Sequence, residues 1–147
     1  EQVETEISAK TFSCLEGLAA SGLRSVRYAK ECPGLSPIVA NDLEASAVEA
    51  IQRNLKSNDV APGHVIPNQG DANEVARYPW RFVSLPTETQ KKSHGIESTT
   101  QQHFDVIDLD PYGSVAPFLA AAISNIQNGG LLCLTSTDKP VLCGKNV

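Results

Sequence analysis

An α/β fold, with a mostly parallel sheet covered by helices on both faces, is what this sequence predicts. Three observations predict it. Short apolar runs alternate with stretches of helical spacing along most of the chain. The connections between them are short, which suits strand–helix–strand units in a buried parallel sheet. Acidic or small-residue turns follow the strands, at the end where open α/β sheets bind ligands.

The elements follow in order. Phe12–Leu18 is a short apolar run with the character of a buried strand. Ser21–Glu31 has helical spacing, with Leu23, Val26, Arg27 and Lys30 along it, and Pro33-Gly34 ends it. Pro37–Asn41 is a second short strand, and Glu44–Ser57 is the clearest helix, with Ala47, Val48, Ala50, Ile51 and Leu55 on one side. His64–Asn68 is a third strand, weakened by Pro67. Phe104–Leu109 is the fourth. Val115–Gln127 is a helix closed by Asn128-Gly129-Gly130, and Leu131–Thr135 is the fifth strand. The exception to this alternation is 74–103, which is polar, holds Pro79, Pro86 and Gly95, and has no sustained period from Thr87 on; a surface insertion with a mobile second half is expected there.

A chain of 147 residues fits one domain, here 1–147, that can bury a real core. Its hydrophobic content of 41% and charged content of 20% are those of an ordinary globular protein. No apolar run approaches the ~20 residues of a membrane span, so no membrane role is expected. Glu1–Lys10 lacks the apolar region of a signal peptide. The chain begins and ends abruptly, and Leu142–Val147 reads as cut short. Cys14, Cys32, Cys133 and Cys143 form no C-x-x-C pair and the three histidines are scattered, so no metal site is expected; free thiols in a reducing compartment are. The net charge of −5 argues against the whole chain being a strong nucleic-acid binder, although Arg24, Arg27 and Lys30, or Lys91 and Lys92, could form a local basic patch.

Four stretches carry chemistry. Cys14–Ser25 (CLEGLAASGLRS) leads a strand through a small-residue turn into a helix, an arrangement that points backbone N–H groups at a ligand. No G-x-G-x-x-G is present, and the turn by itself fits plain helix–strand packing equally well. Val39–Ser46 (VANDLEAS) places Asp42 right after the second strand, 20 positions beyond Gly22, where an acid accepts hydrogen bonds from ribose hydroxyls or caps the next helix. Gln69–Asn73 (QGDAN) offers Asp71 to an adenine amino group and the Ala72 N–H to the ring; a turn aspartate is the alternative. Phe104–Ser114 (FDVIDLDPYGS) puts Asp110 at the end of a strand with Pro111 stiffening the turn. A carboxylate there can hold a substrate amino group and enrich its electrons, while Asp105 and Asp108 read as structural.

Taken together, LEGLAASGLRSVRYA, VANDLEASAVEAIQRNL, GDAN, FDVIDLDPYGS and GGLLCLTSTD resemble the eukaryotic form of the tRNA (guanine-26-N2)-dimethyltransferase family, within the class I S-adenosylmethionine-dependent methyltransferases. The resemblance runs from Phe12 to Gly144 apart from the insertion, and the D-P-Y-G-S turn is its most specific element. It implies a Rossmann-like methyltransferase core, incomplete on its C-terminal side. It implies S-adenosyl-L-methionine as cofactor, bound by Arg24, Asp42, Asp71 and Ala72 with Glu16 and Gly22, and Asp110 as the catalytic carboxylate with Pro111 and Tyr112 shaping a guanine pocket. The implied reaction moves methyl groups to the exocyclic N2 of guanine 26 in tRNA, giving N2,N2-dimethylguanosine. The implied partner is tRNA, held with the help of a C-terminal domain, and the implied location is intracellular, in nucleus or mitochondrion. An upstream cofactor-binding arginine segment of the family is missing, and Lys139-Pro140 departs from its pattern. The rival readings are an amino-methyltransferase acting on another base, such as adenine N6; a nicotinamide-dependent oxidoreductase; and an inactive fragment of the methyltransferase fold.

Overall fold

The computed structural model describes residues 11–81 and 103–138. Glu1–Lys10, the later part of the expected insertion with Lys91 and Lys92, and the segment from Lys139 on with Cys143 lie outside the described residues.

Strand β1 (Phe12–Glu16) leads through helix α1 (Leu23–Glu31) to β2 (Leu35–Asp42), and α2 (Ala45–Ser57) returns the chain to β3 (Val65–Gln69). Beyond α3 (Ala72–Arg77) and a 3₁₀ turn (Pro79–Arg81), β4 (Phe104–Leu109) lies on the other side of β1, and α4 (Ala116–Asn125) connects it to β5 (Ile126–Leu134). The strand order is β3-β2-β1-β4-β5 and every pairing is parallel. The order reverses between β1 and β4, so the loops at their carboxyl ends diverge and leave a crevice.

Alternation along each strand divides the core in two. Leu15, Val39 and Ile107 lie on one face with Val75, Ala76, Phe104 and Ala122. Cys14, Ile38 and Ala40 lie on the other, packed with Val26 of α1 and with Ile51 and Leu55 of α2. Glu16 is in register with Ala40 and Asp108, which puts both carboxylates on the α1 face of the sheet. Pro67 sits in β3, at the edge of the described sheet, where its missing N–H removes no ladder hydrogen bond from the β2 side.

The elements differ from the sequence expectation in three places. β1 stops at Glu16, where the chain turns after Gly17 bonds to the Asp108 carbonyl, and β2 starts at Leu35, two residues before the expected Pro37, where it is in register with Phe12. The stretch expected as an insertion from Glu74 starts as core: α3 buries Ala72, Val75 and Ala76 and packs against α4. That spacing of three and four is helical, but six residues are too few for it to stand out. Finally, α4 ends at Asn125, and the Asn128-Gly129-Gly130 stretch belongs to β5 rather than to a helix cap. Its register slips between Phe104 and Val106, where Gly129 has a φ of 80° and a Cβ on Gly130 would lie 2.7 Å from the Asp105 carbonyl. A glycine-built bulge absorbs the extra residues there.

Candidate active site at the carboxyl ends of β1 and β4

The turn after β1 is built by backbone contacts to its neighbours. Gly17 N–H donates to the Asp108 carbonyl at 2.9 Å, and Ala19 N–H donates to the Asn41 carbonyl at 2.8 Å. A Cβ on Gly17 would sit 2.7 Å from Leu109 Cδ2, so a larger residue there would have to displace the Leu109 side chain. Ala20 takes a φ of 49° and donates its N–H to Asp42 Oδ2 at 2.8 Å. The other oxygen of Asp42 accepts the Glu44 N–H at 3.0 Å. Asp42 thus ties the first turn to the start of α2 and keeps free lone pairs on both oxygens.

Asn41, one residue earlier and fully buried, has a second tying role. Its Nδ2 donates to the Gly17 and Gly70 carbonyls, both at 2.9 Å, and its Oδ1 accepts from Asn68 at 2.6 Å. No motif pointed to Asn41; the available signal was a polar residue at the buried end of an apolar strand.

The α1 face carries the charge. Arg24 donates through Nη1 to Asp108 Oδ2 at 2.9 Å and through Nη2 to Asp110. Tyr28, one turn further along α1, donates its hydroxyl to the same Asp108 oxygen at 2.6 Å. Burial works against the Arg24 guanidinium, but the hydrogen bonds and charges of Asp108 and Asp110 outweigh it and raise its pKa. Burial, with Asp108 alongside, also raises the Tyr28 phenol. Glu16 accepts the Ser25 hydroxyl, and burial pushes its carboxyl up to about 7, against the hydrogen bond from Ser25 and the charge of Arg24. Cys14, beneath them, is raised by burial and by the Asp108 and Glu16 charges. Ser25, Tyr28 and Asp108 extend the constellation beyond the residues that the motifs suggested, and they fit the structural role expected of Asp108. Asp105 is structural too, accepting from the Ser13 N–H and hydroxyl at the other end of β4.

The turn after β4 is pinned by the chain beyond β5. Thr137 N–H and the Ser136 hydroxyl both donate to the Gly113 carbonyl at 3.0 Å, and Gly113 N–H donates to Thr137 Oγ1 at 3.1 Å. Gly113 has a φ of 86°, a conformation that favours glycine. Pro111 is buried in this turn, whereas the Tyr112 ring is wholly exposed.

These parts enclose a cavity of about 1000 Å³. Glu16, Arg24, Asp42, Asp110, Pro111 and Tyr112 all line it, so six of the nine sequence-predicted site residues meet in one place. Leu18 and Leu23 add apolar wall. The other three lie elsewhere. Asp71 is exposed and caps α3 by accepting the Asn73 N–H at 2.7 Å. Ala72 is buried behind the β1 turn, where a Cβ on Gly17 would come 3.5 Å from its own. Gly22 faces α2: with a φ of 71°, its Cβ position is 2.9 Å from Ile51 Cγ1. Among the described residues, no His, Cys, Asp and Glu group could hold a metal ion, and no helix is long and apolar enough to cross a membrane.

The hollow has acceptors on both flanks, a cation between them and an apolar wall, the make-up of a small-molecule site. Comparison with known proteins gives the chain its family. The chain is 49% identical over 142 residues to the mouse tRNA (guanine(26)-N(2))-dimethyltransferase, covering 96% of this chain and 18% of the relative. It is 47% identical over 133 residues to the same enzyme of Schizosaccharomyces pombe, covering 90% of this chain and 20% of the relative. The chain therefore spans about a fifth of the length of these relatives. Among solved structures it resembles Trm1 from Pyrococcus horikoshii in complex with S-adenosyl-L-methionine, with a TM-score of 0.68 and 28% identity over 90% of this chain and 33% of that one. Trm5b from Pyrococcus abyssi, at 22% identity and a TM-score of 0.58, shares the fold. A family model described as N2,N2-dimethylguanosine tRNA methyltransferase matches residues 1–147, and the chain belongs to that family.

Proposed function

We propose that this chain is the S-adenosyl-L-methionine-binding catalytic core of a tRNA (guanine-26-N2)-dimethyltransferase. The observation that carries the reading is the placement of Asp42 and Asp110 on opposite flanks of one crevice, in a chain of this family.

The residues present fit the cofactor. Asp42 has lone pairs left for two ribose hydroxyls, and Leu18, Leu23 and the β1 turn offer apolar surface. Arg24 has guanidinium N–H groups beyond the two given to Asp108 and Asp110, and these can hold a carboxylate. Glu16 adds an acceptor for an ammonium group deeper in the cavity. Asp71 and Ala72 reach the cofactor in this proposal only at the adenine end, from the rim of the β3 turn. When bound, the cofactor supplies an electrophilic methyl group.

The protein's own work concerns the nucleophile. The guanine N2 lone pair is delocalised into the ring, so the amine must be oriented and enriched before it reacts. Asp110 stands at the crevice with one oxygen on Arg24; its carboxylate would accept N2–H and N1–H, orient the amine and take up the proton that the amine gives off. Pro111 fixes that carboxylate's turn, and the exposed Tyr112 ring offers a surface against which an extruded base can stack. Bound tRNA is the partner, with a further domain sharing its grip, and the location is intracellular; one relative is a mitochondrial enzyme of Saccharomyces cerevisiae.

Calorimetric titration with S-adenosyl-L-methionine, followed by methylation of unmodified tRNA and nucleoside mass spectrometry, tests the reading. N2,N2-dimethylguanosine at position 26 is the expected product, and Asp110→Asn is expected to lose about 10²-fold or more in kcat. N6-methyladenosine as product, or full activity of Asp110→Asn, would refute it.

A further inference from the structure

From the geometry we infer that Asn41 is a positioning residue for the cofactor: its side chain locks the β1 and β2 turns, which line the crevice, to the β3 turn beside them. The inference rests on the cofactor reading of the cavity given above.

Three loops leave the sheet at this end, after β1, β2 and β3. Parallel ladders end there, so the loops depend on further hydrogen bonds to hold one against the next. Asn41 lies at the penultimate position of β2, the middle strand of the three, and is 0% exposed. Its amide nitrogen has two N–H groups and spends one on the Gly17 carbonyl of the β1 turn and the other on the Gly70 carbonyl of the β3 turn. Its oxygen is held by Asn68 of β3, which fixes the amide's orientation so that both N–H groups face carbonyls. The main chain repeats the connection: the Asn41 carbonyl accepts Ala19 N–H, and the next residue's carbonyl accepts Gly70 N–H at 3.0 Å.

The clamped atoms adjoin the groups assigned to the cofactor. Gly17 follows Glu16, Asp42 follows Asn41, and Gly70 precedes Asp71 and Ala72. A side chain touching none of the ligand would therefore set the spacing between the Glu16 and Asp42 sides of the crevice, with the β3 turn as its brace. Only Asn or Gln can donate twice and accept once from one planar group, and Gln is a methylene too long for a site without spare volume. Aspartate has the same shape, but it would turn an oxygen toward two carbonyls. Without the clamp, the assembled arrangement of the loops is one among several, and apparent affinity falls in proportion to its population.

The test uses the full-length protein and compares wild type with Asn41→Asp, Asn41→Ala, Asn68→Ala and Asn125→Ala. Asn125 is the control: it too is buried and its amide donates to a carbonyl, Ala121 at 2.8 Å, but it closes α4 at the other end of β5. The readouts are the Kd for S-adenosyl-L-methionine, the KM for cofactor and for tRNA, and amide hydrogen exchange in the β1 and β3 turns. Both Asn41 variants are expected to raise the cofactor Kd and KM by about tenfold or more, with unchanged KM for tRNA and faster exchange in both turns. Asn68→Ala is expected to give a smaller rise in the same direction, and it decides the matter if neither Asn41 variant folds. Asn125→Ala is expected to leave the Kd unchanged. Wild-type affinity in folded Asn41 and Asn68 variants, or an equal loss in Asn125→Ala, overturns the inference. Failure of the wild-type protein to bind the cofactor would instead strike at the proposed function.

Discussion

Glu16 makes the stability of the domain depend on pH in a direction opposite to that of most carboxylates. Its side chain is 4% exposed and lies between Ser25 and Asp108. Burial lifts its carboxyl from 4.5 to about 7. Between those values the folded protein holds a proton that the unfolded chain has released, so stability falls as pH rises through this window. The contribution is complete below pH 4.5 and is lost as the pH passes 7. A shift of that size corresponds to at most about 3 kcal/mol at ~1.4 kcal/mol per unit, because Glu16 also lines the cavity and solvent there screens it.

Glu16→Gln isolates this effect, because glutamine has the shape of the protonated acid and cannot ionise. Urea unfolding of wild type and variant, followed from pH 4.5 to 8, gives the difference in stability at each pH. The variant is expected to gain on wild type by at most about 3 kcal/mol across the range, most steeply near pH 6. Parallel curves would show that Glu16 ionises freely in the fold, and the reasoning from burial would fail.

Three further substitutions separate ligand contacts from packing. Asp42→Ala removes a charged acceptor from two backbone N–H groups and from the proposed ribose contacts. The cofactor Kd should rise about 10- to 100-fold in calorimetry, in keeping with the cost of losing hydrogen bonds to a charged group. Gly22→Ala should destabilise the fold by about 2–4 kcal/mol in denaturant unfolding, since the new methyl must meet Ile51 at 2.9 Å in a left-handed conformation. Loss of cofactor affinity without loss of stability would return Gly22 to the binding set. Tyr28→Phe takes one of two donors from buried Asp108 and should cost about 1–3 kcal/mol, measured the same way.

The parts of the fold legible in the sequence were those with a long or strict period. α2 and β4 stood out because thirteen residues of helical spacing, and a six-residue stretch with four large apolar residues closed by Asp110-Pro111, leave little choice. α3 did not, because two turns hold too few positions for a period, and its burial comes from α4 far along the chain. The end of α4 was misplaced for another reason. Asn-Gly-Gly is the signature of a helix stop and also of a bulge, and only the approach of β4 to Gly130 decides between them. At the site, Asp42 and Asp110 were legible because each follows a strand directly. Asn41 and Tyr28 were not: their roles depend on partners 24 and 80 positions away, a distance no local motif spans, and Ser25, although it shares the Cys14–Ser25 stretch with its partner Glu16, carries no mark of residue type or spacing that singles it out.

Asp105 and Asp108 of β4 and Asp110 just beyond it show how one stretch can carry so much charge. Asp105 spends its charge on Ser13 near the start of the strand and Asp108 spends its own on Arg24 and Tyr28 near its end. Among the described residues Asp110 has Arg24, shared with Asp108, and its side chain is a third exposed. Asp108 is therefore the buried anchor of the three, and Asp110 faces the crevice. A shared guanidinium is a useful neighbour for a carboxylate that must accept protons from a substrate amine. It orients Asp110 in the free protein, and in the proposed mechanism it remains anchored to Asp108 when Asp110 turns to the base. The buried aspartate holds the arginine so that the exposed one can be released.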